Sequence, residues 1–264
     1  MKLGFIGCGN MAGAIMGGII NHNVCGKEEI IGSDPLEAGR RRVQENHGIK
    51  VTADNKEVVK EADVVFLAVK PQYYESVLDE IKDTVKDGQI FISIAPGKTL
   101  AWIGEHLGEK VKLVRTMPNT PALVGEGMTA ACANAFVTKE EMEMVLHILS
   151  ATGEVEVIPE NLMDVVVGVS GSSPAYVFMF IEAMADAAVA EGMPRAQAYK
   201  FASQAVLGSA KMVLDTGKHP GELKDMVCSP AGTTIQAVRV LEEKGLRSAV
   251  FEATDICIQK ARGM

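Results

Sequence analysis

Short apolar runs of strand length recur through the first half of the chain, and after residue 158 they stop. The runs are Lys2 to Ile6, Glu29 to Ser33, Ile49 to Val51, Asp63 to Val69, Gln89 to Ile94 and Lys112 to Arg115. Val64 to Val69 is apolar throughout, as a strand covered on both faces requires. Polar stretches with helical spacing lie between the runs, one of them opened by Pro35 and continuing through Glu45. Strands alternating with helices over about the first 150 residues predict parallel βαβ units with right-handed crossovers. From Pro159 onward the spacing is helical only. Ser173 before Pro174 reads as an N-cap followed by an N1 proline, opening a helix that runs to Gly192. Pro194 opens another, closed by Gly217. The expected division is 1–158, an α/β doubly wound and mostly parallel sheet, then 159–264, an all-α domain.

The first of those helices is apolar around nearly its whole circumference: Tyr176, Val177, Phe178, Met179, Phe180, Ile181 and Met184. Such a helix must be buried on every side, and a domain of about a hundred residues offers few such places. A second copy of the chain is therefore expected to cover it, making a homodimer. The most apolar stretch, Ala175 to Ile181, is followed by Glu182, Asp186 and Glu191. It reads as too short to span a bilayer, so no membrane partner is expected.

Composition narrows the picture a little further. Net charge is −8, and Arg40-Arg41-Arg42 is the one basic block, so nucleic acid is not an expected partner. The 5 cysteines are an odd number without a C-x-x-C pair, which suits reduced thiols in the cytoplasm. With a strand starting at Lys2, no leader is expected before the fold. The histidines are scattered without ligand spacing, so no metal site is expected.

The chemistry begins where the first strand ends. Lys2-Leu3-Gly4-Phe5-Ile6 passes directly into Gly7-Cys8-Gly9-Asn10-Met11-Ala12. Strand, glycine turn and small-residue helix in that order form the opening of a dinucleotide-binding Rossmann fold. Gly7 suits a tight turn, Gly9 leaves its backbone open to a pyrophosphate, and Ala12 is small enough for close helix–strand packing. The free amides at the helix start, aided by the helix dipole, would face the phosphates. An ordinary glycine-rich turn is the alternative. Ligands of such sheets lie beyond the carboxyl ends of the strands, here at Gly7–Ala12, Ser33–Pro35, Val69–Pro71, Ala95–Gly97 and Met117–Pro121.

A second stretch stands out in the helical half. Lys224 to Val238 joins two helices through Ser229-Pro230-Ala231-Gly232-Thr233-Thr234. Pro230 fixes φ, Gly232 allows close approach, and a threonine begins a helix whose first amides are unpaired. That makes a second anion site, of carboxylate size and flanked by two hydroxyls. A plain N-cap in a helical hairpin is the alternative.

Three segments together are similar to pyrroline-5-carboxylate reductase: Arg115 to Pro121, Val169 to Tyr176, and Asp225 to Ala237. With the glycine turn and Ala68-Val69-Lys70-Pro71, the resemblance covers essentially the whole chain. Ser173 and Ala231 depart from it, standing where that family often has glycine. The resemblance implies reduction of 1-pyrroline-5-carboxylate to L-proline by NAD(P)H, the last step of proline biosynthesis. It also implies a Rossmann domain, a helical dimerisation domain, and dimers that assemble further.

On that basis Gly232, Thr233 and Thr234 are expected to hold the substrate carboxylate through backbone amides. The Thr234 hydroxyl, or a water beside it, is the expected donor to the imine nitrogen, as orienting group or as acid. Val69, Lys70 and Ala95 are placed along the ribose and nicotinamide, and Asn55 on the adenosine side; a solvated loop lysine is the plain alternative for Lys70. Asn119 suits either the site or its proline-rich turn. Glu182 and Asp186, an i, i+4 pair, suit an acid–base pair less well than a polar layer of the dimer. The ribose-reading strand end is taken as Ser33, which leaves room for a 2′-phosphate with help from Arg40 to Arg42. The expected cofactor is therefore NADP, with NAD favoured if Asp34 turns inward. A β-hydroxyacid dehydrogenase would need a catalytic lysine in a glycine-rich helix, and neither Lys200 nor Lys211 lies in one. A non-catalytic regulator would not need the threonine loop.

Overall fold

The structure, a computed structural model, describes residues 1–263. The elements run β1 (Leu3–Ile6), α1 (Asn10–Asn21), β2 (Ile30–Ser33), α2 (Glu37–His47), β3 (Lys50–Thr52), α3 (Asn55–Glu61), β4 (Val64–Leu67), α4 (Tyr74–Ile81) and β5 (Ile90–Ser93). Then follow α5 (Leu100–Leu107), β6 (Lys112–Met117), β7 (Gly127–Ala133), α6 (Lys139–Leu149), β8 (Gly153–Val157) and α7 (Met163–Val166). The remainder is helical: α8 (Ser173–Ala190), α9 (Arg195–Thr216), α10 (Pro220–Val227), α11 (Thr233–Glu243) and α12 (Leu246–Arg262).

The strands form one sheet in the order β3-β2-β1-β4-β5-β6-β7-β8, parallel except at β6–β7. Strand alternation divides its core in two. Leu3, Phe5, Val64, Phe66, Ile90 and Ile92 face α1, α2 and α6. Val65, Leu67 and Phe91 face α3, α4 and α5. Both faces are covered, so β1, β2, β4 and β5 are buried along their full length. Phe5 and Phe66 stack at the centre with ring centroids 4.5 Å apart. Two strands were not expected: β7 (GMTAACA) is made of small residues, and β8 (GEVEV) alternates with glutamates. Neither shows the bulky apolar run of the central strands: β7 is paired on both sides and mostly buried but built of small residues, and β8 is the exposed edge strand.

Contacts divide the chain into two compact units, Ser173–Ile256 and a first unit of Met1–Ser172 with the residues from Cys257 on. The change of pattern at Pro159 precedes that division for a visible reason. Arg115 of β6 is buried and pairs with Glu160 at 3.2 Å and Asp164 at 3.4 Å. Glu160 also accepts the Leu100 amide, and Asn119 Nδ2 donates to the Ser170 carbonyl at 3.0 Å. These bonds tie the first residues after Pro159 back to the sheet.

In the second unit α8 packs on α9, and the one residue of α8 that is fully buried is Ala185. Phe178 is 60% exposed, Met179 68% and Phe180 44%. One expectation needs correction here. The helical run Glu160–Ala190 spans 31 residues and by length and composition is apolar enough to cross a membrane. Glu182 and Asp186 fall near its end and so do not shorten it enough.

Candidate functional site

In the first unit the chain runs β1, β2, β3 outward and then returns to place β4 on the other side of β1. The crevice beyond the carboxyl ends of β1 and β4 is thus the switch point where such sheets take ligands. Gly7 sits there with φ +101°, a conformation L side chains rarely adopt. A Cβ on it would stand 2.6 Å from the Ala68 carbonyl oxygen, so the turn lies directly on the loop after β4. The Gly7 amide donates to the Ser33 carbonyl at 2.7 Å, tying the turn to β2 as well.

Cys8 is buried, and its thiol donates to the Ser33 carbonyl at 3.5 Å. Burial first, then the Asp34 charge, push that thiol up to about 12, so it packs and does not react. Gly9 is the N-cap of α1, and among the described residues no side chain caps the helix or places acid in its first turn. A Cβ at Gly9 would meet no described atom within 4 Å. The protein's own packing therefore does not require glycine there, and the backbone at Gly9 is left open. Gly9 and Asn10 are exposed, Met11 is half-buried and Ala12 is buried under the helix. This is a twelve-residue helix with its first amides open to an anion.

Ser33 does not fill the role expected of it. It is fully buried, and its hydroxyl donates to Asn55 Oδ1 at 2.7 Å and lies 3.4 Å from the Phe5 carbonyl. The strand end faces the loop with Asp34 instead. Asp34 Oδ2 accepts the Cys8 amide and Oδ1 the Leu36 amide, each at 2.9 Å. Asn55 is engaged at both ends of its amide, since Nδ2 donates to Glu80 at 2.8 Å. Arg42, expected with Arg40 and Arg41 to help hold a 2′-phosphate, donates to the Cys8 carbonyl and to Asn10 Oδ1. Arg40 holds the Asp34 and Pro35 carbonyls.

The loops after β4 and β5 complete this region. Val69 is half-buried, Lys70 is exposed, and Ala95 is buried. Tyr74, which had no signal in the sequence, lies beneath them with its hydroxyl donating to the Leu67 carbonyl at 2.7 Å and 3.0 Å from Ser93 Oγ. Burial raises its phenol above the usual range, so it serves as a neutral brace. Asn119 is a brace too, accepting the Met128 amide while donating to Ser170.

The second unit holds Gly232, Thr233 and Thr234. Gly232 is the N-cap of α11, again with no side-chain cap and no acid in the first turn among the described residues. Its own amide is already spent on the Ser229 carbonyl at 3.0 Å, which corrects the expectation that it donates to a ligand. What it supplies is space, since a Cβ there would fall 2.3 Å from Ser229 Oγ. The open amides begin at Thr233 and Thr234. Ala231 has φ +58°, so this departure from the family puts a Cβ where glycine is unstrained, at a cost of about 1 kcal/mol. Elsewhere in the unit, Asp186 pairs with Arg195, as a polar layer would.

A parallel sheet reversing its order at β1, with a glycine turn and an uncapped helix at that point, defines the doubly wound dinucleotide-binding class. The family model described as pyrroline-5-carboxylate reductase dimerisation matches residues 160–264, and one described as NADP oxidoreductase coenzyme F420-dependent matches residues 2–97. The chain is 55% identical to the pyrroline-5-carboxylate reductase of Escherichia coli (strain K12), over 98% of this chain and 97% of that one. The Coxiella burnetii pyrroline-5-carboxylate reductase superposes with a TM-score of 0.91 at 35% identity, covering 99% of this chain and 97% of its own. The Plasmodium falciparum pyrroline carboxylate reductase, solved with NADP bound, also gives 0.91, at 33% identity over 100% and 97% of the two chains. The chain belongs to the pyrroline-5-carboxylate reductase family.

Proposed function

We propose that this chain reduces 1-pyrroline-5-carboxylate to L-proline with NAD(P)H, the last step of proline biosynthesis. The observation that carries the reading is the uncapped Gly232–Thr234 turn, intact in a chain 55% identical to the Escherichia coli reductase over 98% of its length. The cofactor is NADP, as in the Plasmodium falciparum relative, with NAD admitted. The residues present fit it, since Gly9 leaves an open cradle before α1. When bound, the dinucleotide supplies the hydride for the imine carbon.

The chain's own residues bind and orient. The amides from Gly9 to Met11 hold the pyrophosphate, while Val69, Lys70 and Ala95 line the nicotinamide side. Thr233 and Thr234 amides hold the substrate carboxylate, and Gly232 keeps their approach clear. The Thr234 hydroxyl donates toward the imine nitrogen. An iminium formed in solution carries its own N–H, which donates to that hydroxyl oxygen instead, so only orientation is needed and a weak acid suffices.

The exposed apolar face of α8 is covered by a second copy of the chain, not by lipid. The dimerisation model that matches 160–264 supports this, as do Glu182, Asp186 and Arg195 on the same surface. Dimers assemble further, and the protein works in the cytoplasm without nucleic acid or membrane partners. The test is oxidation of NADPH, and separately of NADH, on adding 1-pyrroline-5-carboxylate, with proline as product. Oxidation of neither would overturn the reading.

A further inference from the structure

Three loops leave the sheet side by side at the carboxyl ends of β4, β5 and β6. We infer that Tyr74 is a positioning residue for the reduction, its hydroxyl fixing the spacing of the β4 and β5 loops proposed to line the nicotinamide. This rests on the cofactor reading above and adds a residue that, at 1% exposed, acts only through those loops.

A series of buried hydrogen bonds carries the inference. The Thr116 hydroxyl of β6 donates to the Ser93 carbonyl of β5 at 2.9 Å. Tyr74 has a single hydroxyl proton, and it goes to the Leu67 carbonyl of β4 at 2.7 Å. Ser93 Oγ, 3.0 Å from the same oxygen, is therefore its donor. Side chains thus link the last residues of β4 and β5 and the last but one of β6. All three hydroxyls belong to buried residues, where a low dielectric strengthens each bond of the series.

The series stands where backbone pairing gives out. Leu67 and Ser93 are the last paired residues of β4 and β5. Beyond them the Ile94 amide reaches back to the Leu67 carbonyl at 3.3 Å, a longer bond than the one Tyr74 makes to it. Val69 and Ala95 each lie two residues past these ends. The phosphate turn is held by other bonds, Gly7 to Ser33 at 2.7 Å, and Ala68 is tied to Ile6 at 2.8 Å. Loss of the Tyr74 hydroxyl therefore loosens the nicotinamide side and leaves the phosphate side as it was. Hydride transfer is sensitive to such small displacements of its reacting groups.

The test compares wild type, Tyr74→Phe and Ser93→Ala as full-length proteins. Phenylalanine keeps the ring and removes only the hydroxyl, and Ser93→Ala removes the donor to that hydroxyl. Dissociation constants are measured for NADPH by nucleotide fluorescence, and for 2′-phospho-ADP-ribose, which is NADP without its nicotinamide, by calorimetry. Melting temperatures and steady-state kinetics are taken alongside. In Tyr74→Phe, kcat is expected to fall about tenfold and NADPH to bind more weakly, while the fragment binds within about twofold of wild type. Ser93→Ala should show the same pattern to a smaller degree, and it decides the matter if Tyr74→Phe does not fold. If only the melting temperature falls, or if NADPH and the fragment lose affinity alike, Tyr74 braces the fold and nothing more, and the inference is overturned. If wild type binds neither NADPH nor the fragment, the cofactor reading itself falls, and the inference with it.

Discussion

Thr234 concentrates the proposed chemistry in one side chain. It is half-buried at the start of α11, beside an N-cap glycine whose amide is already taken. Thr234→Val keeps the shape and removes only the donor. If the hydroxyl orients the imine nitrogen as charge shifts there, kcat should fall roughly 10²–10³-fold, the usual scale for one transition-state hydrogen bond. Affinity for NADPH should stay as it was, because the phosphate site belongs to Gly9 in the other unit. Thr234→Ser should retain most activity. A Val variant with normal kcat and raised KM would show that the loop only binds, and an equal loss in both would point to packing of the methyl group. Steady-state kinetics separates the three.

Helix α1 must lie close to two neighbours, and its glycines divide accordingly. A Cβ at Gly18 would fall 2.6 Å from the Ala151 carbonyl oxygen and 2.7 Å from Thr152 Cγ2. The backbone of the 150–152 turn cannot move aside without disturbing β8, so Gly18→Ala should destabilise by about 1–3 kcal/mol. It should also weaken dinucleotide binding, since shifting α1 shifts Gly9 at its start. Gly13 differs, for its Cβ would meet nothing nearer than His47 Nε2 at 3.8 Å. Gly13→Ala should be neutral or stabilising by up to about 1 kcal/mol, the ordinary helix preference for alanine. Thermal unfolding of the two variants checks the contrast, and a stable Gly18→Ala protein would show that α1 has room to move.

At the scale of the whole molecule the question is what covers α8. Phe180 is 44% exposed on a single chain, so aspartate there should cost a lone chain little. In a dimer that buries the same face, the unpaired charge costs several kcal/mol. Phe180→Asp is therefore expected to give insoluble or inactive protein, or a monomer without activity. Light scattering and the reductase assay read this together, and a folded, fully active monomer would sink the dimer.

The order of apolar runs was enough to predict six parallel strands, because β1, β2, β4 and β5 lie in the interior of the sheet and must be apolar on both faces, with short, half-exposed β3 beside them at the edge. The glycine turn was legible for an equally local reason: Gly7 and Gly9 follow a strand and open a helix within six residues. The Ser229–Thr234 loop was legible by its odd mix of proline, glycine and hydroxyls. Other features depended on partners distant in the chain. Whether Ser33 or Asp34 faces the turn hinges on a single residue of register, and neighbouring strand residues point opposite ways. Asn55 and Cys8, far from each other in sequence, settle which is which. The amide of Gly232 was lost to Ser229 by the turn's own closure. Strands β7 and β8, the last two of the sheet, carry no bulky apolar run, and they exist because β6 and one another supply their hydrogen bonds. The end of the first unit moved past Pro159 because Arg115 holds Glu160 and Asp164. Local pattern determined which elements form and where their chemistry lies; tertiary contacts decided which atoms remain free to use it.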